Sequence, residues 1–440
     1  MSRPSPLSGF PELLPADRIV EQRVISALAE TFELYGFASV NTRAVEPLDQ
    51  LLRKGETSKE VYVLRRLQAE AESSDSGLGL HFDLTVPFAR YVLENAGKLQ
   101  FPFRRYQIQP CWRGERPQEG RYREFWQADI DVIDRDDLPG HYEVELPLVI
   151  GDALAKLPIP AMRMHVNNRK LSQGFFQGLG IADPMAAVRV VDKIDKIGPS
   201  GVADLLAETV DATPDQVKAC LALAEITSDD ASFADRVRAL GVSDPLLDEG
   251  LSELVDVVEA AAADAPGLVV ADMRIARGLD YYTGTVYETF MSGYERLGSV
   301  CSGGRYDNLA SDGKNRFPGV GLSIGVSRIL VPLLGEGRLA ATRQVPTCVL
   351  VALPSADSRR DCDAIARRLR SRGIATEVAP AAQKYGKQIR FAERRGIPFV
   401  LFPGVDGAPP ELRDIRGGEQ DTVDIDTWLP LEADRRPEIA

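Results

Sequence analysis

The sequence predicts an α+β protein in which an antiparallel sheet flanked by helices carries a mostly helical insertion and is followed by a small C-terminal α/β domain. Three observations lead there. Phe103–Arg113 and Tyr122–Ile133 alternate apolar and polar residues and are joined by a charged eight-residue loop, Gly114–Arg121, that holds Pro117 and Gly120; this is an antiparallel hairpin with a polar tip. From about residue 165 to 265 the chain turns rich in Ala, Leu and Asp, with helical spacing and few aromatics. Past a linker at Gly335–Gln344, strands at Thr347–Leu353, Ala375–Ala379 and Phe399–Phe402 alternate with helices at Ser358–Arg372 and Lys387–Arg395. Such alternation implies parallel pairing with right-handed crossovers.

The elements follow in order. Val20, Val24, Leu28, Phe32 and Tyr35 recur on one helical face across Asp17–Tyr35, Gly36 stands where that helix stops, and Phe37–Asn41 reads as a strand. At 440 residues, 44% apolar and 27% charged, the chain is too long for one ordinary core and too apolar for disorder. No uncharged apolar run approaches the roughly 18 residues of a membrane span, and Met1–Pro15 lacks the layout of a signal peptide, so a cytoplasmic protein is expected. The five cysteines and three histidines neither cluster nor show CxxC spacing, which argues against a zinc site or a disulfide framework.

A net charge of −13 argues at first against a polyanionic partner. Its distribution reverses that inference: residues 211–265 hold thirteen acidic and three basic side chains and supply most of the acidity. Residues 98–123, with seven basic and two acidic, and 341–416, with fourteen and eight, are locally basic and suit a polyanion.

In the hairpin, alternate side chains share a face. Ile108, Pro110, Trp112, Trp126, Ala128, Ile130 and Val132 form an apolar face; Arg105, Gln107, Gln109, Arg113, Gln127, Asp129 and Asp131 form a polar one. Such a face is either a solvated outer surface or a binding surface, and the mixture of amides, carboxylates and a guanidinium favours a small zwitterionic substrate beside a phosphate. Arg116, Arg121 and Arg123 in and after the loop are expected near Arg113, where guanidinium forks match phosphate oxygens. Arg277-Gly-Leu-Asp-Tyr-Tyr-Thr-Gly-Thr-Val-Tyr287 is dense in hydrogen-bonding side chains, as a pocket wall would be, and Cys301-Ser-Gly-Gly-Arg-Tyr-Asp307 allows close backbone approach. Gly319-Val-Gly-Leu-Ser-Ile-Gly-Val-Ser-Arg328 reads as a glycine-rich strand running into a helix. No GxGxxG, P-loop or GxSxG motif occurs, so activation of a substrate by a nucleotide fits better than nicotinamide chemistry or a Ser nucleophile.

In this order, these segments resemble the class II aminoacyl-tRNA synthetases, and among them the histidyl-tRNA synthetase family. The first helix and strand, to about Pro47, look like motif 1, Phe103–Ile133 like motif 2 and Gly319–Leu330 like motif 3. The more specific signatures are Arg277-Gly-Leu-Asp-Tyr-Tyr282 and Gly303-Gly-Arg-Tyr-Asp307, with Asn167-Asn-Arg-Lys170 and Asp192-Lys-Ile-Asp-Lys196 extending the likeness. The resemblance implies a catalytic domain of class II type in two parts (1–164 and 266–338), a helical insertion (165–265), an anticodon-binding domain (339–430) and a tail (431–440).

It further implies that ATP, with Mg2+, and L-histidine form histidyl-adenylate, and that the histidyl group then passes to the 3′ end of tRNA(His). Arg113 and Arg277 would be catalytic, on the α-phosphate and the histidine carboxylate; Phe125 and Arg328 would sandwich the adenine, with Glu115 near its amino group. Asp83, Thr85 and Gln127 would hold the ammonium, and Asp131 and Tyr282 the imidazole, with Tyr281 and Tyr306 closing the pocket. Arg116, Gln118 and Arg121 would meet the acceptor end of the tRNA, no protein side chains would form a metal site, and the chain would be a homodimer with no membrane partner. Asp stands at 83 and 131 where many bacterial relatives carry Glu; His81–Tyr91 looks more like the eukaryotic and archaeal version, and Ser8-Gly-Phe-Pro-Glu departs from the usual start. Two other readings use the same fold: a histidine-sensing paralogue serving as the regulatory subunit of ATP phosphoribosyltransferase, and a domain kept only for RNA binding or kinase regulation.

Overall fold

The structure, a computed structural model, describes residues 5–52, 60–67, 77–275, 281–404 and 408–440. It divides into two compact units: Met1–Pro11 with Ile25–Pro332, and Glu12–Val24 with Leu333–Ala440.

The chain enters through helix α1 (Pro15–Leu34), whose stripe Val20, Val24, Leu28 and Phe32 is buried. Gly36, at φ 78°, ends it, because the left-handed region costs an L side chain energy that glycine escapes. The strand expected at Phe37–Asn41 is reduced to β1 (Ala38–Ser39), parallel to the first hairpin strand. A small three-stranded sheet follows, built from β2 (Val45–Pro47), β3 (Val63–Leu64) and β4 (Leu78–Leu80), with the short helix α2 (Leu48–Leu51) between β2 and β3. Helix α3 (Thr85–Asn95) leads to the hairpin, β5 (Phe103–Trp112) and β6 (Glu124–Ile133), in an unbroken antiparallel register from Phe103↔Ile133 to Trp112↔Glu124. After α4 (His141–Ala155) comes β7 (Met162–Asn168).

Helices dominate the next hundred residues: α5 (Arg169–Gly178), α6 (Pro184–Val191), α7 (Ile194–Val210), α8 (Pro214–Ala224), α9 (Phe233–Arg238) and α10 (Pro245–Asp264), with strand β8 (Thr227–Ser228) among them. Their N-termini are capped as the sequence allows. Asn168, Asp183 and Asp244 accept backbone N–H groups at the starts of α5, α6 and α10, and Thr213 with Gln216 forms a reciprocal capping box at α8. The expected edge of the insertion at 165 falls inside β7, which belongs to the main sheet; the helices start at Arg169, and the chain rejoins that sheet through β9 (Val269–Asp272), parallel to β7. Three long strands complete it: β10 (Tyr282–Met291), β11 (Cys301–Ser311) and β12 (Arg316–Gly325), after which α11 (Val326–Gly335) begins.

The resulting nine-stranded sheet runs β1-β5-β6-β12-β11-β10-β7-β9-β8 and is mostly antiparallel. One face, the back, is covered by α1 and α4: Tyr106 Oη donates to Glu33 at 2.7 Å, Arg104 pairs with Glu145 at 2.6 Å, and Tyr287 Oη donates to the Glu143 carbonyl. Helix α3 packs on the opposite, front face near Tyr306 and Phe317.

The second unit holds a five-stranded sheet, β14-β13-β15-β16-β17. Here β13 (Val349–Val351), α12 (Arg359–Ser371), β14 (Thr376–Val378), α13 (Tyr385–Arg395) and β15 (Phe399–Phe402) reproduce the expected alternation, and β13 pairs in parallel with both β14 and β15. The antiparallel strands β16 (Glu411–Asp414) and β17 (Gln420–Thr422), then α14 (Glu432–Arg435), extend it.

Helices α5 and α10 cross at two glycines. A Cβ on Gly250 would stand 2.2 Å from the Leu171 nitrogen, and one on Gly174 2.2 Å from the Leu247 nitrogen, so any side chain must push the helices apart. Gly250→Ala is expected to destabilise the protein by about 1–3 kcal/mol, the usual range for overpacking. Gly140→Ala, where a Cβ meets nothing within 4 Å, serves as the control; scanning calorimetry checks the pair.

Candidate active site

Register decides what meets on the front face. Paired residues on neighbouring strands point the same way. The rungs Gln107↔Asp129↔Ser323↔Ser302↔Glu288↔His165 therefore carry one polar row across β5, β6, β12, β11, β10 and β7. The next rung runs Arg105↔Asp131↔Gly321↔Gly304, and the one beyond it Phe103↔Ile133↔Gly319↔Tyr306↔Tyr282.

The glycines in these rungs make room for the functional side chains. A Cβ on Gly321 would stand 2.1 Å from Asp131 Oδ1, and one on Gly319 2.5 Å from the Tyr306 ring. The glycine-rich strand is thus flat where its neighbours lay their side chains across it.

The polar hairpin face is not a solvated surface. Arg105 and Gln107 are 0% exposed and Asp129 and Asp131 2%. Buried polar groups are costly unless paired, and the two carboxylates are answered on both sides. Tyr306 Oη donates to Asp131 Oδ1 at 2.7 Å, Arg105 Nη2 lies 2.7 Å from Asp131 Oδ2, Ser323 Oγ donates to Asp129, and Gln127 Nε2 donates to Ser323 Oγ at 2.7 Å. Asp83, buried before α3, accepts the Val86 N–H at 3.1 Å. Thr85, Asp129, Asp131, Tyr282, Ser302, Gly303, Tyr306 and Ser323 surround one small cavity. Tyr281 stands beside it, its hydroxyl 3.2 Å from that of Tyr282 and its ring edge-on to Tyr306.

Ser302 and Ser323 also line a second, larger pocket with Arg113, Glu115, Arg121, Tyr122, Phe125, Gln127, Ser299, Gly325 and Arg328. Arg113 is aimed by its Nε, which donates to the Phe82 carbonyl at 2.9 Å, and its guanidinium lies 5.0 Å from the Phe125 ring centroid. Arg328 donates to the Gly120 and Ser299 carbonyls, tying the α11 start to the hairpin loop. Burial, reinforced by Arg121 and Arg113, lowers its pKa to about 10. Glu115 pairs with Arg121 at 3.3 Å. Arg116 and Gln118 are exposed in the loop, where Gln118 and Arg121 bridge backbone to backbone.

Of the expected site residues, Thr85, Asp131, Tyr282 and Tyr306 line the first cavity and Arg113, Glu115, Arg121, Phe125, Gln127 and Arg328 the second, while Asp83, Tyr281, Arg116 and Gln118 line neither. Arg277, with Gly278, Leu279 and Asp280, lies outside the described residues. Ser299, Ser302, Ser323 and Tyr122 were not singled out from sequence as site residues, and Asp129 was placed on the polar hairpin face without a role of its own. The serines become visible only through cross-strand register.

Comparison with known proteins resolves the choice among the readings of this site. The family model described as histidyl-tRNA synthetase matches residues 9–329, and an anticodon-binding domain model matches 347–430. The chain belongs to the histidyl-tRNA synthetase family. Family relatives named histidine–tRNA ligase include those of Cutibacterium acnes, 57% identical over 100% of this chain and 99% of that one, and Thermobifida fusca, 53% identical over 97% and 98%. The solved histidyl-tRNA synthetase of Nostoc sp. PCC 7120 is 32% identical, covers 97% of this chain and 98% of its own, and superposes with a TM-score of 0.86. The ATP phosphoribosyltransferase regulatory subunit/histidyl-tRNA synthetase of Bacillus halodurans C, 18% identical with a TM-score of 0.72, shares the fold.

Burial raises the Asp129 pKa to about 7, with the Asp131 and Asp83 carboxylates adding to the rise and Arg105 and Ser323 opposing it. A carboxyl raised in the folded state binds protons that the unfolded chain has already lost, so the stability it confers is complete below about pH 4 and is lost as pH climbs to about 7. Asp129→Asn is therefore expected to gain in melting temperature over the parent between pH 4 and 7, the gap levelling off above; parallel thermal melts across that range check it.

Proposed function

We propose that the chain charges tRNA(His) with histidine at a single front-face site. The observation that carries this reading is the pair of adjoining cavities: one lined by carboxylates and tyrosine hydroxyls, the other by arginines and an aromatic ring, sharing Ser302 and Ser323. The first suits an ammonium and an imidazole. The second suits a nucleotide.

In the first step the histidine carboxylate oxygen attacks the α-phosphorus of ATP and pyrophosphate leaves. In-line displacement of this kind asks the protein for positioning and for cations where charge develops. Arg113, fixed by the Phe82 carbonyl, would meet the α-phosphate, and Arg277 would bridge carboxylate and phosphate. Phe125 and Arg328 would enclose the adenine, with Glu115 at its amino group. Asp83, Thr85 and Gln127 would hold the ammonium, and Asp131 and Tyr282 the imidazole, with Tyr281 and Tyr306 behind them. Magnesium would enter on the triphosphate; among the described residues no group of three or more acidic, His or Cys side chains could hold a metal ion. In the second step the 3′-hydroxyl of the tRNA attacks the histidyl carbonyl and AMP leaves, with Arg116, Gln118 and Arg121 at the acceptor end.

A pocket that hydrogen-bonds both imidazole nitrogens can reject amino acids lacking them by roughly 10⁴ or more, because its buried polar groups would be left unpaired. In the C-terminal unit, α13 carries exposed Lys387, Arg390 and Arg394 at helical spacing, a basic face suited to RNA phosphates. A homodimer in the cytoplasm is proposed here, as membership of the family implies. Among the described residues no helix is long and apolar enough to cross a membrane.

ATP–pyrophosphate exchange and tRNA charging test the reading together. Histidine alone among the amino acids should support exchange, and Arg113→Ala should lower it about 10²-fold or more. Replacing Lys387, Arg390 and Arg394 with Ala should leave exchange intact while weakening charging about tenfold or more at physiological salt. Exchange with another amino acid, or none with histidine, would reject the proposed function.

A further inference from the structure

Arg105 has no part in the roles above, yet among the described residues it heads the largest fully buried side chains. It stands on the front face of β5, in register with Asp131. Its Nη2 lies 2.7 Å from Asp131 Oδ2 and 4.0 Å from Asp129 Oδ2, and its Cζ is 4.2 Å from the Phe88 ring centroid on α3. Among the described residues its Nε, Nη1 and Nη2 are buried without a hydrogen bond of good geometry, so its hold on Asp131 is the close ion-pair contact. A guanidinium held so deep is costly unless its charge is needed.

The need lies in the carboxylates. Asp129 and Asp131, two residues apart on one strand, point into the same small cavity, and Asp83 acts on Asp129 from the turn before α3. Among the described residues the other polar groups facing them are Thr85 on α3, Gln107 on β5, Ser323 on β12, Ser302 and Tyr306 on β11, and Tyr281 and Tyr282 where β10 begins. Like charges crowded into a desolvated site hold one another protonated, and a protonated carboxyl is a poor acceptor for an ammonium or an imidazole N–H. Arg105 is the cation that bears on Asp129 against this. It also takes the Asp131 oxygen that Tyr306 does not, so the carboxylate is gripped from both sides.

We infer that Arg105 is a positioning residue for histidine: it fixes the plane of the Asp131 carboxylate and favours the charged form of Asp129 beside it, so that the pocket accepts histidine at neutral pH. The inference rests on the adenylation reading and refines it. Arg105 touches no reacting atom; it acts through the two aspartates.

Pyrophosphate exchange measured from pH 6 to 9.5 on the full chain tests this. Arg105→Met should raise the histidine KM at pH 7 by about tenfold or more, and the excess should shrink as pH rises, the limb moving upward by about one pH unit or more. The ATP KM and kcat should change by less than about threefold. Arg105→Lys, which returns a cation without the planar fork, should recover part of the loss. Asp129→Asn offers a second readout that leaves Arg105 in place: the change in histidine KM that the parent shows around pH 7 should flatten. A histidine KM raised equally at every pH, an equal rise in ATP KM, a Lys variant no better than Met, or an unchanged profile in Asp129→Asn would each overturn the assignment. A parent that supports no exchange with histidine would instead overturn the adenylation reading itself.

Discussion

The front face of the sheet depends on one buried ion pair, Arg105 with Asp131. A sheet that buries both faces ordinarily does so with apolar side chains. Here two carboxylates, two glutamines and a guanidinium are laid under α3 and beside a cavity, and each charge must be answered by another or by a hydrogen bond. Much of the local sequence follows from that demand. Tyr306 is where its hydroxyl reaches Asp131, Ser323 is where it reaches both Asp129 and Gln127, and Gly319 and Gly321 vacate the strand beneath them. Phe88 covers the guanidinium from above with a ring face, which favours a cation.

The same constraint explains why two shorter carboxylates serve at 83 and 131. Asp83 is turned back onto the first turn of α3, where it also accepts a backbone N–H, and Asp131 is held by Arg105 on β5 and by Tyr306 on β11, which reaches across β12. Placement by the backbone and by Arg105 supplies what a longer, freer side chain would supply by reach. A restrained carboxylate loses less rotamer freedom on binding, so the pocket is organised before the ligand arrives.

Most of the architecture was legible because its signals are local. The hairpin, the capped helices and the strand–helix alternation of the C-terminal unit each declare themselves in a dozen residues through periodicity, turn residues and caps. What escaped is non-local or faint. Met162, Met164 and Val166 do alternate with Arg163, His165 and Asn167, yet the run is short and adjoins helix, so β7 was merged with the insertion. Strands β16 and β17 are short, and β17 is wholly exposed, leaving no apolar pattern to read. In the site, the arginines, aromatics and carboxylates stood out by type, whereas Ser302 and Ser323 are ordinary residues whose role comes only from cross-strand register. Whether the polar face was wet or buried could not be read from alternation, since both give the same pattern.

The most direct test of this buried, charge-balanced pocket is calorimetric titration of histidine at pH 7 in buffers of different ionisation enthalpy. Burial raises the Asp129 pKa to about 7, into the range where the carboxyl holds a proton in part of the free protein. A cationic ammonium entering the pocket should drive that proton off, giving net proton release on histidine binding, and Asp129→Asn should abolish most of the release. Binding with no proton exchange in the parent, or the same release with Asn at 129, would contradict a pocket whose charge is set among Arg105, Asp129 and Asp131.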